Sequence, residues 1–217
     1  MSGQEASSDV VVVPATADRF DDVVTMLNPR GRESACWCMH WRTPPKEDVL
    51  RRGEYLYDLS TRDPAPGMLA YLNEQGSSSV VVGWVGFAPK SAARSLQHSR
   101  VLPRGEPETW PTTWAVMCFV VRPGYRRRGV ARSLLRGAVE YAAAHGARVV
   151  EGYPVEPEPG RRVPVSAAFV GTVALFESVG FDRVEATRGS SGKLQRWVLR
   201  RELATAEDAG VSPVSAR

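Results

Sequence analysis

The feature that most constrains the fold is a strand, a tight turn and a helix that follow one another near the middle of the chain. Residues 112–121 (TTWAVMCFVV) form a long apolar and β-branched run, as in a buried strand. From Gly129 the apolar residues recur with a helical period, and Gly146 stands where a left-handed residue ends many helices. The next strand, RVVEGYPV, begins at Arg148. Such a strand–helix–strand unit predicts a crossover connection near the centre of a sheet.

The segments on either side of this crossover predict a mixed sheet. They follow the order strand, helices, three strands, helix, strand, helix and two strands, where the third strand of the trio opens the crossover. The predicted strands are residues 10–14, 67–72, 80–89, 112–121, 148–155, 181–188 and 194–201, and the predicted helices are residues 18–27, 46–60, 130–145 and 167–179. This order is typical of an α/β fold with a mixed central sheet flanked by helices.

The length of the chain predicts one domain with short polar ends. Residues 10–203 carry the structural pattern, whereas residues 1–9 and 204–217 lack it and are predicted to be disordered. No apolar run is long enough to span a membrane, and the first residues lack the basic region of a signal peptide. We therefore expect a cytoplasmic protein with reduced cysteines and no membrane partner.

The charge balance argues against nucleic acid as the main partner without excluding it. The net charge is +4, and 25 arginines stand against 3 lysines, so the position of an arginine is more informative than the number of arginines. An RNA-binding protein is expected to show a wide basic face with aromatic residues. Here the densest basic cluster is a single turn, Arg126–Arg128.

These three arginines lie between the end of a strand and the start of a helix, just before Gly129. The first N–H groups of a helix have no partner within the helix, and the helix dipole adds a partial positive charge there. A glycine without a Cβ lets a ligand approach the backbone closely. The pattern therefore predicts a phosphate-binding turn. The alternative is a solvated basic turn in an arginine-rich chain.

The same residues carry a family resemblance. RRRGVA fits the pattern Q/R-x-x-G-x-G/A, with Arg126, Gly129 and Ala131 at the fixed places. With VVRP before it and SLL after it, the stretch resembles the pyrophosphate-binding segment of the GNAT superfamily of N-acetyltransferases. The element order from about residue 10 to 202 and the stretch ALFESVGF resemble the same family. The resemblance implies a mostly antiparallel sheet with splayed central strands, and acetyl-CoA as co-substrate.

The resemblance also implies roles for individual residues. The backbone of Phe119, Val120 and Val121 would pair with the pantetheine arm, and a primary amine would attack the acetyl carbonyl directly between the two splayed strands. The predicted pyrophosphate-binding residues are Arg126, Arg127, Arg128, Gly129, Val130, Ala131, Arg132 and Ser133.

The sequence departs from the family where a tyrosine usually protonates the leaving thiolate. Alignment on Gly180-Phe181 puts Phe176 at that tyrosine and Phe169 at the usual asparagine. Tyr153 is the first candidate for a replacement acid; the alternative is a half-buried strand tyrosine. Glu151, on the same strand face, is the candidate general base, because partial desolvation raises the pKa of a carboxylate. Its alternative role is to bind substrate or an arginine.

The sequence around the cysteines predicts that they pack in the core rather than bind a metal or carry an acyl group. In ACWCMHWR, strand alternation would place Cys36, Cys38 and His40 on one face. A zinc site needs four ligands, with cysteines spaced by two to four residues, so we expect no metal here. Cys118 lies on the central strand near the expected thioester. We interpret it as a small core residue, because a covalent acyl carrier would need a neighbour that lowers its pKa.

The acceptor is hardly encoded in the sequence. Glu156 and Glu158 lie beside the expected cleft and would attract a cationic amine, although Arg161 and Arg162 follow them. We expect an amine-bearing small molecule, with a protein or peptide N-terminus as the second choice, and a monomer or homodimer. Two other functions fit this fold: use of another acyl donor, including an acyl-tRNA, and a non-catalytic acyl-CoA-binding regulatory module.

Overall fold

In the computed structural model the described residues are 10–42, 51–73, 79–158, 160, 161 and 163–204. The segments predicted to be disordered, residues 1–9 and the tail from residue 205, lie outside this part, as do residues 46–50 of the second predicted helix. No helix within these ranges is both long and apolar enough to cross a lipid bilayer.

Seven strands within the described ranges form one sheet, in the order β1-β2-β3-β4-β5-β7-β6. Its strands are β1 (Val10–Pro14), β2 (Gly67–Leu72), β3 (Val80–Pro89), β4 (Thr113–Val121), β5 (Val149–Gly152), β6 (Asp182–Ser191) and β7 (Leu194–Glu202). Only the pair β4 and β5 is parallel among these strands. The predicted mixed, mostly antiparallel sheet is therefore confirmed, with the crossover at its centre.

Helices cover both faces of the sheet. They are α1 (Phe20–Leu27), α2 (Arg52–Ser60), α3 (Arg94–Gln97), α4 (Val130–Ala144), α5 (Val165–Ala168) and α6 (Val173–Glu177). The long helix α4 buries the predicted apolar stripe, including Val130, Leu134 and Ala138, against one face, where α6 also packs. Helices α1 and α2 and the segment 36–42 cover the other face. We call these the α4 face and the α1 face.

A bulge in β4 changes which face its side chains occupy. The pairing of β4 with β3 shifts between Gly86 and Phe87, which leaves Met117 as an extra residue. Met117 and Cys118 both pack on the α1 face, whereas Phe119 packs on the α4 face. A bulge bends a strand and redirects its side chains, and here it lies where the pairing of β4 with β5 ends.

The continuous helix predicted over residues 167–179 is wrong. Two short helices, α5 and α6, are separated by Gly171, whose φ of +76° is left-handed. Backbone groups between them bond to the sheet instead of to a helix: the Phe169 carbonyl accepts from Phe119 N–H (2.7 Å), and the Gly171 carbonyl accepts from Val155 N–H (3.1 Å). Helix α6 then begins at a cap, where Thr172 Oγ1 accepts from the backbone N–H of Leu175, the third residue of the helix (3.2 Å).

Candidate active site

A notch opens between β4 and β5. The two strands pair only from Thr113 opposite Val149 to Val116 opposite Gly152. Beyond this point β4 continues to its end, whereas the chain after β5 turns away and Val155 forms bridges with Thr172 and β7 instead. The predicted splaying of the central strands is therefore present, with its apex at the β4 bulge.

The backbone groups that face the notch follow from the strand alternation. The N–H of Arg122 donates to the Val82 carbonyl of β3 (3.0 Å), and the N–H of Phe119 donates across the notch to Phe169. Successive peptide groups point to opposite edges of a strand. Phe119 and Val121 therefore face the notch, whereas Val120 presents its backbone to β3. Three residues are predicted to pair with pantetheine through their backbone. The backbone N–H and C=O of Val120 point away from the notch, so Val120 does not fit this prediction.

The turn after β4 opens the start of α4. Gly129 precedes the helix with a φ of +80°, and a Cβ built there meets no atom within 4 Å. The first bond along the helix runs from Ser133 N–H to the Gly129 carbonyl (3.0 Å). The three amides before Ser133 therefore have no partner within the helix and point out of its end. Ser133 is predicted to donate its amide to pyrophosphate, but this amide already donates to the Gly129 carbonyl.

The arginines of this turn keep their charges uncompensated. Arg126, Arg127 and Arg128 are exposed, and within the described ranges none of them pairs with a carboxylate. Arg126 Nε donates to the Val121 carbonyl (3.3 Å), and the guanidinium of Arg128 lies 5.5 Å from the ring centroid of Tyr125. A helix start with free amides and unpaired arginines is a site for a polyanion.

The comparisons with known proteins agree with this geometry. The family model described as the acetyltransferase (GNAT) family matches residues 33–157, which span more than half of the chain. This chain belongs to the GNAT family of acetyltransferases. It is therefore an acetyl-CoA-dependent acyltransferase, as the resemblance implied. No curated protein matches the sequence of this GNAT protein.

Solved structures of other acetyltransferases share the fold at low sequence identity. The yncA protein of Salmonella typhimurium, solved with its cofactor acetyl-CoA, is 16% identical, with a TM-score of 0.53 over 90% of this chain and 95% of that one. The GNAT acetyltransferase of Streptococcus pneumoniae is 15% identical, with a TM-score of 0.54 over 90% and 99%. Ribosomal-protein-alanine N-acetyltransferase from Brucella melitensis is 16% identical, with a TM-score of 0.51 over 89% and 99%.

Glu151 of β5 lies at the centre of a buried ionic network. Only 2% of its surface is exposed. Lys90 Nζ donates to Oε2 at 3.0 Å, Arg200 donates to Oε1 at 2.6 and 3.1 Å, and the Tyr153 hydroxyl donates to Oε2 at 2.8 Å. Burial alone would raise the pKa of Glu151, but the charge of Lys90 and these hydrogen bonds hold its pKa below the ordinary value. The raised pKa expected for a general base is therefore wrong.

Tyr153 shares this network, on the strand face predicted for it. It is 3% exposed, and burial together with the adjacent Glu151 carboxylate raises its pKa well above the ordinary value. Its proton is engaged in the bond to Glu151. Phe176, at the position of the family tyrosine, is wholly buried and packs against Gly152, where a Cβ would come within 2.0 Å of its ring.

The cysteines lie differently from the predicted strand arrangement. Residues 36–42 form turns, and Cys38 has a left-handed φ of +56°. Cys36 and His40 are therefore exposed, whereas Cys38 is buried with its sulfur 3.2 Å from that of Cys118. The hydrogen bond between the thiols lowers the pKa of Cys38 and raises that of Cys118. A raised pKa makes Cys118 a poor acyl carrier and fits the packing role. Three possible ligands for a metal do not meet anywhere in the described ranges.

The acidic loop does not offer free carboxylates to the notch. Arg183 donates to both carboxylate oxygens of Glu156 (2.9 and 2.8 Å), and Arg161 pairs with Glu158 at 3.3 Å. The expectation that these glutamates attract a cationic amine is not supported. Arg183 of β6 balances the charge of Glu156, and Arg161 of the same loop balances that of Glu158.

Sequence reasoning missed the cations that surround Glu151. Lys90 is one of only 3 lysines in this arginine-rich chain, which is a signal that the type of cation matters at this position. Arg196 and Arg200 flank Val198 on one face of β7, and an arginine on the apolar face of a strand usually has a partner to bind. Neither signal identifies the partner from the sequence.

A separate cavity of about 440 Å³ lies between α2, the segment 62–66 and the end of β3. Its lining includes Met39, Tyr55 and Phe87, and none of the residues that face the notch. It is therefore distinct from the site described above.

Proposed function

We propose that this enzyme transfers the acetyl group of acetyl-CoA to a primary amine of a small molecule by direct attack. The observation that carries the proposal is the continuity of the notch with the unpaired cationic turn. One edge of β4 presents the peptide groups of Phe119 and Val121 and leads directly to the free amides before Ser133. A pantetheine arm pairs with an exposed strand edge, while pyrophosphate binds at a helix start.

The proposal requires one local exchange. The Phe119 N–H is bonded to the Phe169 carbonyl, so an incoming pantetheine has to displace that carbonyl to use this donor. Phe169 lies between α5 and α6, where the backbone leaves the helical path and the side chain is 40% exposed. A short connection with little buried side chain moves at lower cost than a core strand.

The proposed chemistry needs no side-chain acid. The neutral amine attacks the acetyl carbon, the C–S bond breaks as the tetrahedral intermediate collapses, and CoA leaves as a thiolate. The amine proton passes to water. Glu151 and Tyr153 are the predicted base and acid. We propose instead that they position the chain segment that follows β5, because their oxygens and protons are engaged with one another and with two cations.

Tyr153→Phe tests this assignment. We expect turnover to fall less than tenfold and the pH profile of kcat to keep its shape, because the hydroxyl holds a carboxylate and does not contact reacting atoms. Stability should fall by about 1.5–3 kcal/mol, the value of a hydrogen bond to a charged group. A loss of a hundredfold or more, together with loss of the high-pH limb, would instead make Tyr153 the general acid.

The function itself is tested by release of the CoA thiol from acetyl-CoA with a panel of primary amines. We expect amine-dependent release and an N-acetylated product detected by mass spectrometry. Tight binding of acetyl-CoA without release by any amine would favour a non-catalytic acyl-CoA-binding module, which the phenylalanine at position 176 makes the natural alternative.

A further inference from the structure

Arg196 on β7 is a buried cation without an anionic partner. It is 7% exposed, and its Nε donates to the Tyr153 carbonyl at 2.8 Å. The guanidinium carbon lies 5.8 Å from the ring centroids of both Trp41 and Tyr153. No carboxylate in the described part of the chain pairs with it. Burial lowers the pKa of Arg196 to about 10, so the side chain is still charged at neutral pH.

The other buried cations are satisfied by the protein. Lys90 pairs with Glu151, and Arg42 donates to three backbone carbonyls. Arg196 keeps both terminal NH₂ groups without a hydrogen bond to any described residue. Within the described ranges, the fully enclosed side-chain nitrogens that lack a partner belong to two tryptophans. The terminal nitrogens of Arg196 are therefore not completely enclosed and keep some contact with solvent.

Arg196 lies on the α1 face, beside the chain segment that follows β5. It lies opposite Val155, the residue at which the chain has diverged from β4. Tyr153 and Trp41, the two rings beside it, belong to the α1 face, and so does Cys118, which immediately precedes Phe119. An acceptor that enters from the α1 face therefore meets Arg196 beside the notch.

The charges around Arg196 favour an anion. Partial burial of the His40 ring, followed by the positive charges of Arg196 and Arg52, lowers the pKa of His40. Glu151 is already balanced by Lys90 and Arg200. Burial of a charged guanidinium without an anionic partner is unfavourable because the charge loses its hydration. A carboxylate that forms two parallel hydrogen bonds with the guanidinium offsets this desolvation cost.

We propose that the acceptor carries a carboxylate close to its amine and that Arg196 binds this carboxylate, so that the substrates are amino acids rather than simple amines. The inference deepens the proposed acetyl transfer and rests on it. The planar fork of arginine matches a carboxylate, and the rings of Trp41 and Tyr153 hold the guanidinium in place through cation–π contacts.

The test compares matched acceptors. Thiol release is measured with phenylalanine, phenylalanine amide and phenethylamine, and with methionine, its amide and 3-(methylthio)propylamine. We expect the wild type to prefer the free amino acid of each series by about tenfold to a hundredfold in kcat/KM, as for one charged hydrogen-bonded contact. Arg196→Gln should abolish this preference by raising KM for the amino acids, and Arg196→Lys should keep part of it.

Arg183→Gln is the matched control. Arg183 also stacks on a ring of β7, at 4.7 Å from the centroid of Trp197, but it is paired with Glu156 and Glu177. Its replacement should leave the preference intact. Equal rates for acids, amides and amines in the wild type, or an equal loss for all acceptors in a folded Arg196→Gln protein, would overturn the inference alone. Absence of release with every acceptor would overturn the proposed function together with it.

Discussion

Gly129→Asp is expected to raise the dissociation constant of CoA by at least about a hundredfold while the protein remains folded. The new carboxylate would lie at the start of α4, beside the free amides and the three exposed arginines that we propose as the pyrophosphate site. A like charge placed against a bound charge costs several kcal/mol, and each 1.4 kcal/mol is a tenfold loss of affinity. Isothermal calorimetry with CoA measures the effect directly.

The structure offers a close control at the other end of the same helix. Gly146 has a φ of +79°, nearly that of Gly129, and a Cβ built there also meets nothing within 4 Å. Gly146→Asp therefore introduces the same backbone strain and the same charge away from the turn. CoA affinity should be unchanged in this variant, and Gly129→Ala should show an intermediate loss. Equal weakening in both aspartate variants would show that strain, rather than the anion site, determines the result.

The sequence was sufficient for the central crossover because each of its parts is encoded locally. The apolar stripe of α4 and the left-handed glycine predicted at its end, Gly146, need no knowledge of distant residues, and both appear in the structure. The prediction of a continuous last helix was wrong because contacts with distant parts of the chain determine the backbone there. The backbone around Gly171 bonds to Phe119 of β4 and to Val155, which follows β5, and these bonds replace the helical ones.

The same contrast separates the two parts of the candidate site. The turn proposed to bind phosphate consists of residues adjacent in sequence, so the pattern RRRG was sufficient to predict a glycine-led helix start with exposed arginines. The environment of Glu151 depends on Lys90, which is 61 positions away, and on Arg200 of a different strand. Strand alternation correctly placed Tyr153 beside Glu151, but the pKa of the carboxylate is decided by the distant cations.

Glu151→Leu is expected to destabilise the protein by about 3–5 kcal/mol, the cost of removing one partner from a buried ion pair. The substitution leaves Lys90 at 1% exposure, with the Pro103 carbonyl (3.3 Å) as its remaining partner, and removes the acceptor of the Tyr153 hydroxyl. Urea unfolding followed by circular dichroism gives the free energy of unfolding of both proteins. Replacement of the partner as well, in Lys90→Met with Glu151→Leu, should recover part of the loss because no buried charge then stands alone.

The pH dependence gives this prediction a second test. The pKa of Glu151 is lower in the folded protein than the value of about 4.3 expected for an unfolded chain, because of Lys90 and the hydrogen bonds from its three donors. The ionised carboxylate therefore stabilises the fold fully above that unfolded value, and the stabilisation is lost as the pH falls through the lowered folded value. The difference in unfolding free energy between the wild type and Glu151→Leu should accordingly shrink below about pH 4.3. A difference under 1 kcal/mol at neutral pH, or one that stays constant in acid, would show that the carboxylate is not ionised and paired in the folded protein.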